Sequence, residues 1–213
     1  MTRTTKPRAG NRTMAGPVPG SGIHRILLGA GLLGAVLFPV TYVADGALRP
    51  GYNALAQPIS DLAIGPGAAI QIANFMAYGA LILLSGLGWR SSLDPGRAAW
   101  AYPALKLVTG AALIATGVYH QGSIHNAVSY ASLIATVAGM LVLALRFRRE
   151  PQWRGWAAYA VLSAVTMMAL LSLYGSLVAH GSGGIFEKLA TMTGSLFTVL
   201  VTVRVLARGA VLA

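Results

Sequence analysis

The chain has 213 residues, 55% of them hydrophobic and only 10% charged, and its sixteen Lys and Arg outweigh five Asp and Glu to give a net charge of +11. A soluble domain carries about 25% charged residues, whereas here the charges sit between long apolar runs. That excludes an ordinary soluble fold, a soluble nucleic-acid binder and a disordered chain, and leaves a helical membrane protein. There is no cysteine, so disulfides, Cys-ligated zinc, iron–sulfur clusters and thiol nucleophiles are excluded too.

In chain order, residues 1–22 are basic, acid-free and rich in Gly, Pro and Thr. They predict a disordered cytoplasmic tail that orients the first helix or lies against anionic lipid. The sequon Asn11-Arg12-Thr13 falls on that side, where it has no meaning. Six runs are then long and apolar enough to cross a bilayer: Ile23–Val43, Ala68–Trp89, Tyr102–Val118, Ile124–Phe147, Trp156–Ala179 and Ile185–Leu206. None shows the period-2 alternation of a membrane barrel. The fold class is therefore all-α: a polytopic integral membrane protein with a six-helix transmembrane domain over residues 23–208 and a short C-terminal tail, 209–213.

Within the first span, Gly29-Ala30-Gly31-Leu32-Leu33-Gly34 reads GxGxxG. A dinucleotide site needs a strand before it and a soluble helix after it, so these small residues predict close helix packing and no dinucleotide. Pro39 predicts a kink near the outer end of the same span. Lys106, near the inner end of the third, is placed to snorkel outward.

The remaining basic residues set the orientation. Arg3, Lys6, Arg8, Arg12, Arg25, Arg90, Arg97, Arg146, Arg148, Arg149, Arg154, Arg204 and Arg208 fall on one side, with Arg49 and Lys188 on the other. The positive-inside rule puts both termini in the cytoplasm and the protein in the cell membrane as a multi-pass chain. Trp89, Trp100, Trp153 and Trp156 all lie at inner ends of spans, as an aromatic belt would.

Apart from the basic segments, polar residues gather on the outer side. The first connection holds Asp45, Arg49-Pro50-Gly51-Tyr52-Asn53, Gln57 and Ser60-Asp61, with Pro58 to Ile64 able to form a short helix lying on the membrane. His120, His125, His180 and Glu187 join them. Three stripes run inward on single helical faces: His125, Ser129, Ser132 and Thr136; Glu187, Thr191, Ser195, Thr198 and Thr202; Gln71, Asn74 and Tyr78. Such stripes face one another or a watery hollow, which predicts a polar pocket opening outward beneath the first loop. Two plainer readings compete. Ser and Thr bond their own helix carbonyls or join helices, and Glu187 caps the dipole of the sixth helix. Lys188, one residue on, is placed to pair with Asp61 or Asp45.

His120, His125 and His180 with an acid have zinc-ligand chemistry, although the His-x4-His spacing is not the i, i+4 pair a helix presents. Haem is not expected, because His24 is the lone inner histidine. No carboxylate lies at mid-span, which argues against proton-coupled transport.

The stretch Arg49-Pro50-Gly51-Tyr52-Asn53 to Gln57, then Ile59-Ser60-Asp61-Leu62, resembles the first-loop signature of the membrane family catalogued as domain of unknown function 998. Ile124-His125-Asn126-Ala127 resembles the family's element at the head of the fourth helix, and Gly184-Ile185-Phe186-Glu187-Lys188 its element opening the sixth. The similarity covers roughly residues 25–208. It departs at Tyr119-His120-Gln121-Gly122-Ser123, which is short and lacks the Asp-Pro pair that relatives often carry. The resemblance implies a six-helix membrane fold and no assigned reaction, substrate or cofactor.

Two functions are consistent with these residues. One is a membrane protein that binds or senses a lipid or small polar ligand through Tyr52, Asn53, Ser60, Asp61, His125, Asn126, Glu187 and Lys188. In it the acids accept hydrogen bonds or cations, His125 and Asn126 orient a head group, and Lys188 meets a phosphate. The other is a membrane-embedded, metal-dependent lipid hydrolase or transferase, with His125 or His120 as general base or with the histidines and Asp61 as ligands. Small-solute transport is a weaker third, because no span is broken at its centre. The expected partners are membrane lipids, without nucleic acid.

Overall fold

A computed structural model describes residues 20–93 and 99–208. Six helices account for most of them: α1 (Gly22–Leu48), α2 (Ala68–Ser91), α3 (Ala101–Val118), α4 (Gly122–Phe147), α5 (Arg154–Leu177) and α6 (Gly184–Arg208). Short 3-10 turns at Ile59–Ala63, Pro151–Trp153 and Val178–His180 complete the order, and no strand occurs among the described residues. All six helices are long and apolar enough to cross a membrane. The chain is a multi-pass membrane protein of the all-α class.

Each helix packs against its neighbours in the chain, and α6 returns to pack against α1. The result is a closed ring around a common interior. The α2–α3 seam is set by a pair of glycines. A Cβ on Gly79 would come 2.5 Å from the Gly110 carbonyl oxygen, and one on Gly110 would come 2.6 Å from that of Gly79. Only two hydrogens in place of side chains let these backbones approach. The α1–α2 seam uses two glycines of the GxGxxG run, with Gly31 against Ser85 and Gly34 against Tyr78 and Leu81.

The two ends of the ring are filled differently. At the arginine-rich end, Leu28, Trp89, Tyr102, Met140, Leu143, Phe147, Trp153, Met167, Phe197 and Val201 form one continuous core. At the other end the core is smaller and one-sided: Phe38, Tyr42, Ile59, Leu62, Phe75 and Leu113, drawn from α1, α2, α3 and the first turn. Facing it, α4 and α6 present hydroxyls and glycine, which leave space.

Several expectations change at this level. The first helix runs on to Leu48, past the predicted end at Val43, with Pro39 inside it. Asp45 is helical because it forms an i, i+4 ion pair with Arg49 at 2.8 Å. The short helix expected after Pro58 is a 3-10 turn over Ile59–Ala63, and its Ile59, Leu62 and Ala63 are buried. Lys106 does not snorkel and is only 7% exposed. Of the tryptophans, Trp100 is exposed, whereas Trp89 and Trp153 belong to the core. The predicted tail is shortened, since Ser21 caps α1 by accepting from the His24 amide. The rest of that tail, residues 1–19 with Asn11, and the C-terminal tail 209–213 lie outside the described residues.

Candidate functional site

The space left at the long-loop end is a cavity of about 110 Å³. Every helix contributes to its wall: Phe38 from α1, Phe75 and Tyr78 from α2, Thr109, Leu113 and Thr116 from α3, Met167 and Tyr174 from α5, and Glu187, Thr191 and Gly194 from α6. The α4 stripe lies along it complete, as His125, Ser129, Ser132 and Thr136, beside Asn126, Tyr130 and Leu133. Ile59 and Ser60 of the first turn close the top.

The roof is held by a set of bonds between the first loop and the start of α6. The Glu187 carboxylate accepts from the Ile59 amide at 2.7 Å. The amides of Gly184 and Ile185 donate to the carbonyls of Ala56 and Leu55 at 3.1 and 3.0 Å. Lys188 donates to the Gln57 carbonyl at 2.7 Å and to that of Gly184 at 3.3 Å, with its ammonium 5.2 Å from the centre of the Tyr52 ring. Residue 184 must be glycine here, because a Cβ would overlap the Gln57 carbonyl.

Tyr52 donates to the carbonyls of Gln57 and Pro58 at 3.2 and 3.0 Å. Burial, with the charges of Glu187, Asp61 and Asp45 adding to it, raises its phenol above the ordinary value of 10.0, so it remains a donor. Asn53 accepts from the Leu55 amide in an Asx turn, and its own amide donates to the Gln57 side chain. Asp61 accepts from that same Gln57 side chain at 3.2 Å. Arg49 braces the far side, reaching both Asp45 oxygens and the carbonyls of Leu62 and Gly67 within 3.0 Å.

The eight predicted site residues therefore divide. Ser60, His125, Asn126 and Glu187 line the cavity. Tyr52, Asn53, Asp61 and Lys188 bond the loop that roofs it. The expected pairing of Lys188 with Asp45 or Asp61 does not occur: Asp45 is taken by Arg49, and Lys188 gives its protons to carbonyls.

His125 is the most defined polar group in the wall. Its Nδ1 faces the Tyr119 carbonyl at 2.9 Å and the Thr116 carbonyl at 3.4 Å. Both are acceptors only, so Nδ1 carries the proton in the neutral ring and Nε2 is a free acceptor. The other two histidines are elsewhere. His180 is exposed and bonded at 3.2 Å to the Ser176 carbonyl one turn back. Among the described residues, no three His, Asp or Glu side chains come close enough together to hold a metal.

The sequence patterns missed Thr109, Thr116, Tyr130 and Tyr174 in this wall. The first two stand seven residues apart on one helical face, a signal that Ala and Gly between them obscure. The predicted α2 stripe contributes only Tyr78 to it; Asn74 is turned to α1, where it donates to the Phe38 carbonyl at 3.1 Å.

Three of these wall residues have a second role. Tyr130, Leu133 and Tyr174 also line an apolar groove of about 210 Å³ between α4 and α5.

The family described as "Protein of unknown function (DUF998)" matches residues 32–204. The chain belongs to this DUF998 family. The matched span runs from the first helix to the end of the sixth, so the roof and the whole cavity wall of this DUF998 protein fall inside it. Comparison with curated proteins and with solved structures finds no match.

Proposed function

We propose that this protein binds a membrane amphiphile, with the polar head in the central cavity and the apolar chain in the α4–α5 groove. The observation that carries the reading is the shared wall. Tyr130, Leu133 and Tyr174 belong to both spaces, so the chamber and the apolar track adjoin across these three side chains. His125 and Glu187 supply hydrogen-bonding groups in the chamber, while Phe38, Phe75 and Met167 supply apolar wall. Ligand sites of this mixed kind use a few placed polar groups on an apolar lining. The asymmetry of the arginines supports cytoplasmic termini, and with them a chamber on the outer side of the cell membrane.

Gly194 offers a direct test. It lines the cavity, and a Cβ there meets only ordinary contacts, 3.6 Å from Thr136 and 3.7 Å from Met167. Gly194→Ala should retain whatever lipid co-purifies with the full chain, and Gly194→Leu should lose most of it by mass spectrometry. Equal lipid in both variants, with helix content unchanged, overturns the reading. A cytoplasm-dependent reporter fused after Ala213 tests the orientation; inactivity there moves the chamber to the other leaflet.

A further inference from the structure

Lys106 is a buried cation with no acid paired to it among the described residues. It is 7% exposed, and among the described residues the one ion pair is Asp45 with Arg49. Its ammonium donates to no carbonyl or hydroxyl of those residues, and its one contact of note is the Tyr102 ring, 5.7 Å from the ring centre. An isolated charge removed from water is costly unless it is paired. Among the described residues neither of the two usual remedies, snorkelling or a neighbouring carboxylate, is present.

Lys106 lines a second, smaller cavity of about 30 Å³, together with Tyr78, Tyr102, Thr109, Thr136 and Thr198. That is space for a water-sized or carboxylate-sized group and nothing larger. Thr136 and Thr198 donate to carbonyls of their own helices, Ser132 at 2.8 Å and Gly194 at 3.0 Å. Thr109 and Tyr102 make no such bond to the described residues, so their O–H groups are unspent in the wall they share with Lys106. Tyr78, Thr109 and Thr136 line the central cavity as well, so the small chamber adjoins the large one.

We propose that the Lys106 chamber is a subsite for one compact monoanionic group, halide or carboxylate in size, with Lys106 as its counter-ion and the Tyr102 and Thr109 hydroxyls as donors. The source of the group is a free anion or the acidic end of an amphiphile. This subsite is separate from the wall formed by His125 and Glu187, and it stands whether or not the α4–α5 groove holds a chain.

The test is thermal unfolding of the full chain in neutral detergent with gluconate as the background anion. Bromide, acetate and laurate are added separately, with lauryl alcohol as the uncharged match for laurate. A bound anion at about five times its Kd should raise the midpoint by about 2–4 °C. Lys106→Met, close in volume but uncharged, should abolish the rise. Arg154→Met, an exposed charge at the arginine-rich end, should keep it and so controls for the basic net charge. A rise with bromide or acetate identifies a free-anion site, and a rise with laurate alone identifies a head group. No rise with any anion, or the same rise in Lys106→Met, overturns the proposal. If Lys106→Met fails to fold, an anomalous bromide peak or density for the laurate carboxylate at the Lys106 ammonium of the wild-type protein replaces it, and the absence of both overturns the proposal equally.

Discussion

The Glu187 carboxylate, in the first turn of α6, accepts the backbone amide of Ile59, 128 positions earlier in the chain, at 2.7 Å. One oxygen of a cavity-lining acid thus holds the first residue of the turn that covers the cavity, and the other oxygen makes no hydrogen bond to the described residues. Glu187→Ala leaves the Ile59 amide without its partner, a loss of about 1–3 kcal/mol. Glu187→Gln keeps an acceptor and should cost less. Hydrogen exchange at residues 55–63 reads the difference: fast in the alanine variant and near wild type in the glutamine variant.

His125 separates structure from ligand contact. Its Nδ1 caps the end of α3 through the Tyr119 carbonyl, and an asparagine amide reproduces that donor but offers nothing at Nε2. His125→Asn should retain most of the wild-type unfolding temperature, with a change of less than about 1 kcal/mol, while the amount of co-purified lipid falls. His125→Ala should lose both. Unchanged lipid in His125→Asn would assign this ring to capping alone.

Arg49 holds three groups with one planar fork. It pairs with Asp45 while bonding the carbonyls of Leu62 and Gly67, with both ionic side chains largely buried. Removing one member leaves a buried charge alone, so Arg49→Ala should destabilise by about 3 kcal/mol. Arg49→Lys should recover little, because an ammonium cannot repeat the fork. The double variant Arg49→Ala with Asp45→Ala should be more stable than Arg49→Ala, as measured by thermal unfolding in detergent.

Much of this arrangement was legible in the residues, and the reasons differ by element. Six apolar runs and the spacing of Arg and Lys announce a polytopic helical chain. The α4 stripe could be read because four polar residues recur on one face, and all four reach the cavity. Tyr52 and Asn53 were visible as polar loop residues and Lys188 as a cation opening the sixth helix, but their partners were not. Whether Lys188 meets an acid or a carbonyl depends on how the first loop crosses α6, and that is a matter of tertiary packing. Trp89 and Trp153 were misleading for the same reason. Position along a span does not tell which side of the helix meets lipid and which meets Tyr102 at 4.9 Å or Phe147 at 4.8 Å.

Tyr52 gives the alkaline limit of the roof. Its phenol is raised above its ordinary value of 10.0, first by burial. A donor whose value is higher folded than unfolded stabilises fully below the unfolded value and progressively less as pH rises toward the folded one. The stability difference between wild type and Tyr52→Phe should therefore be constant from pH 7 to about 9 and shrink above about 10. Unfolding midpoints of both proteins across that range check it.

The Gly79–Gly110 contact predicts a sharp contrast between two glycines. Gly79→Ala drives a methyl into the opposing backbone and should cost about 1–3 kcal/mol. Gly29→Ala, in open space on α1, should be neutral or slightly stabilising through higher helix propensity. Equal unfolding temperatures for the two variants would mean that α2 and α3 are not held at this separation.

The closure of α6 against α1 bears on how the chain is made. Synthesis delivers residues 55–59 long before residues 184–188, yet those two segments are each other's hydrogen-bonding partners. Until the final helix inserts, the five-helix intermediate has an unclosed flank and a lid with nothing to latch onto. The sixth helix is thus the segment that seals the chamber, and the five helices made before it stay open-sided until it arrives.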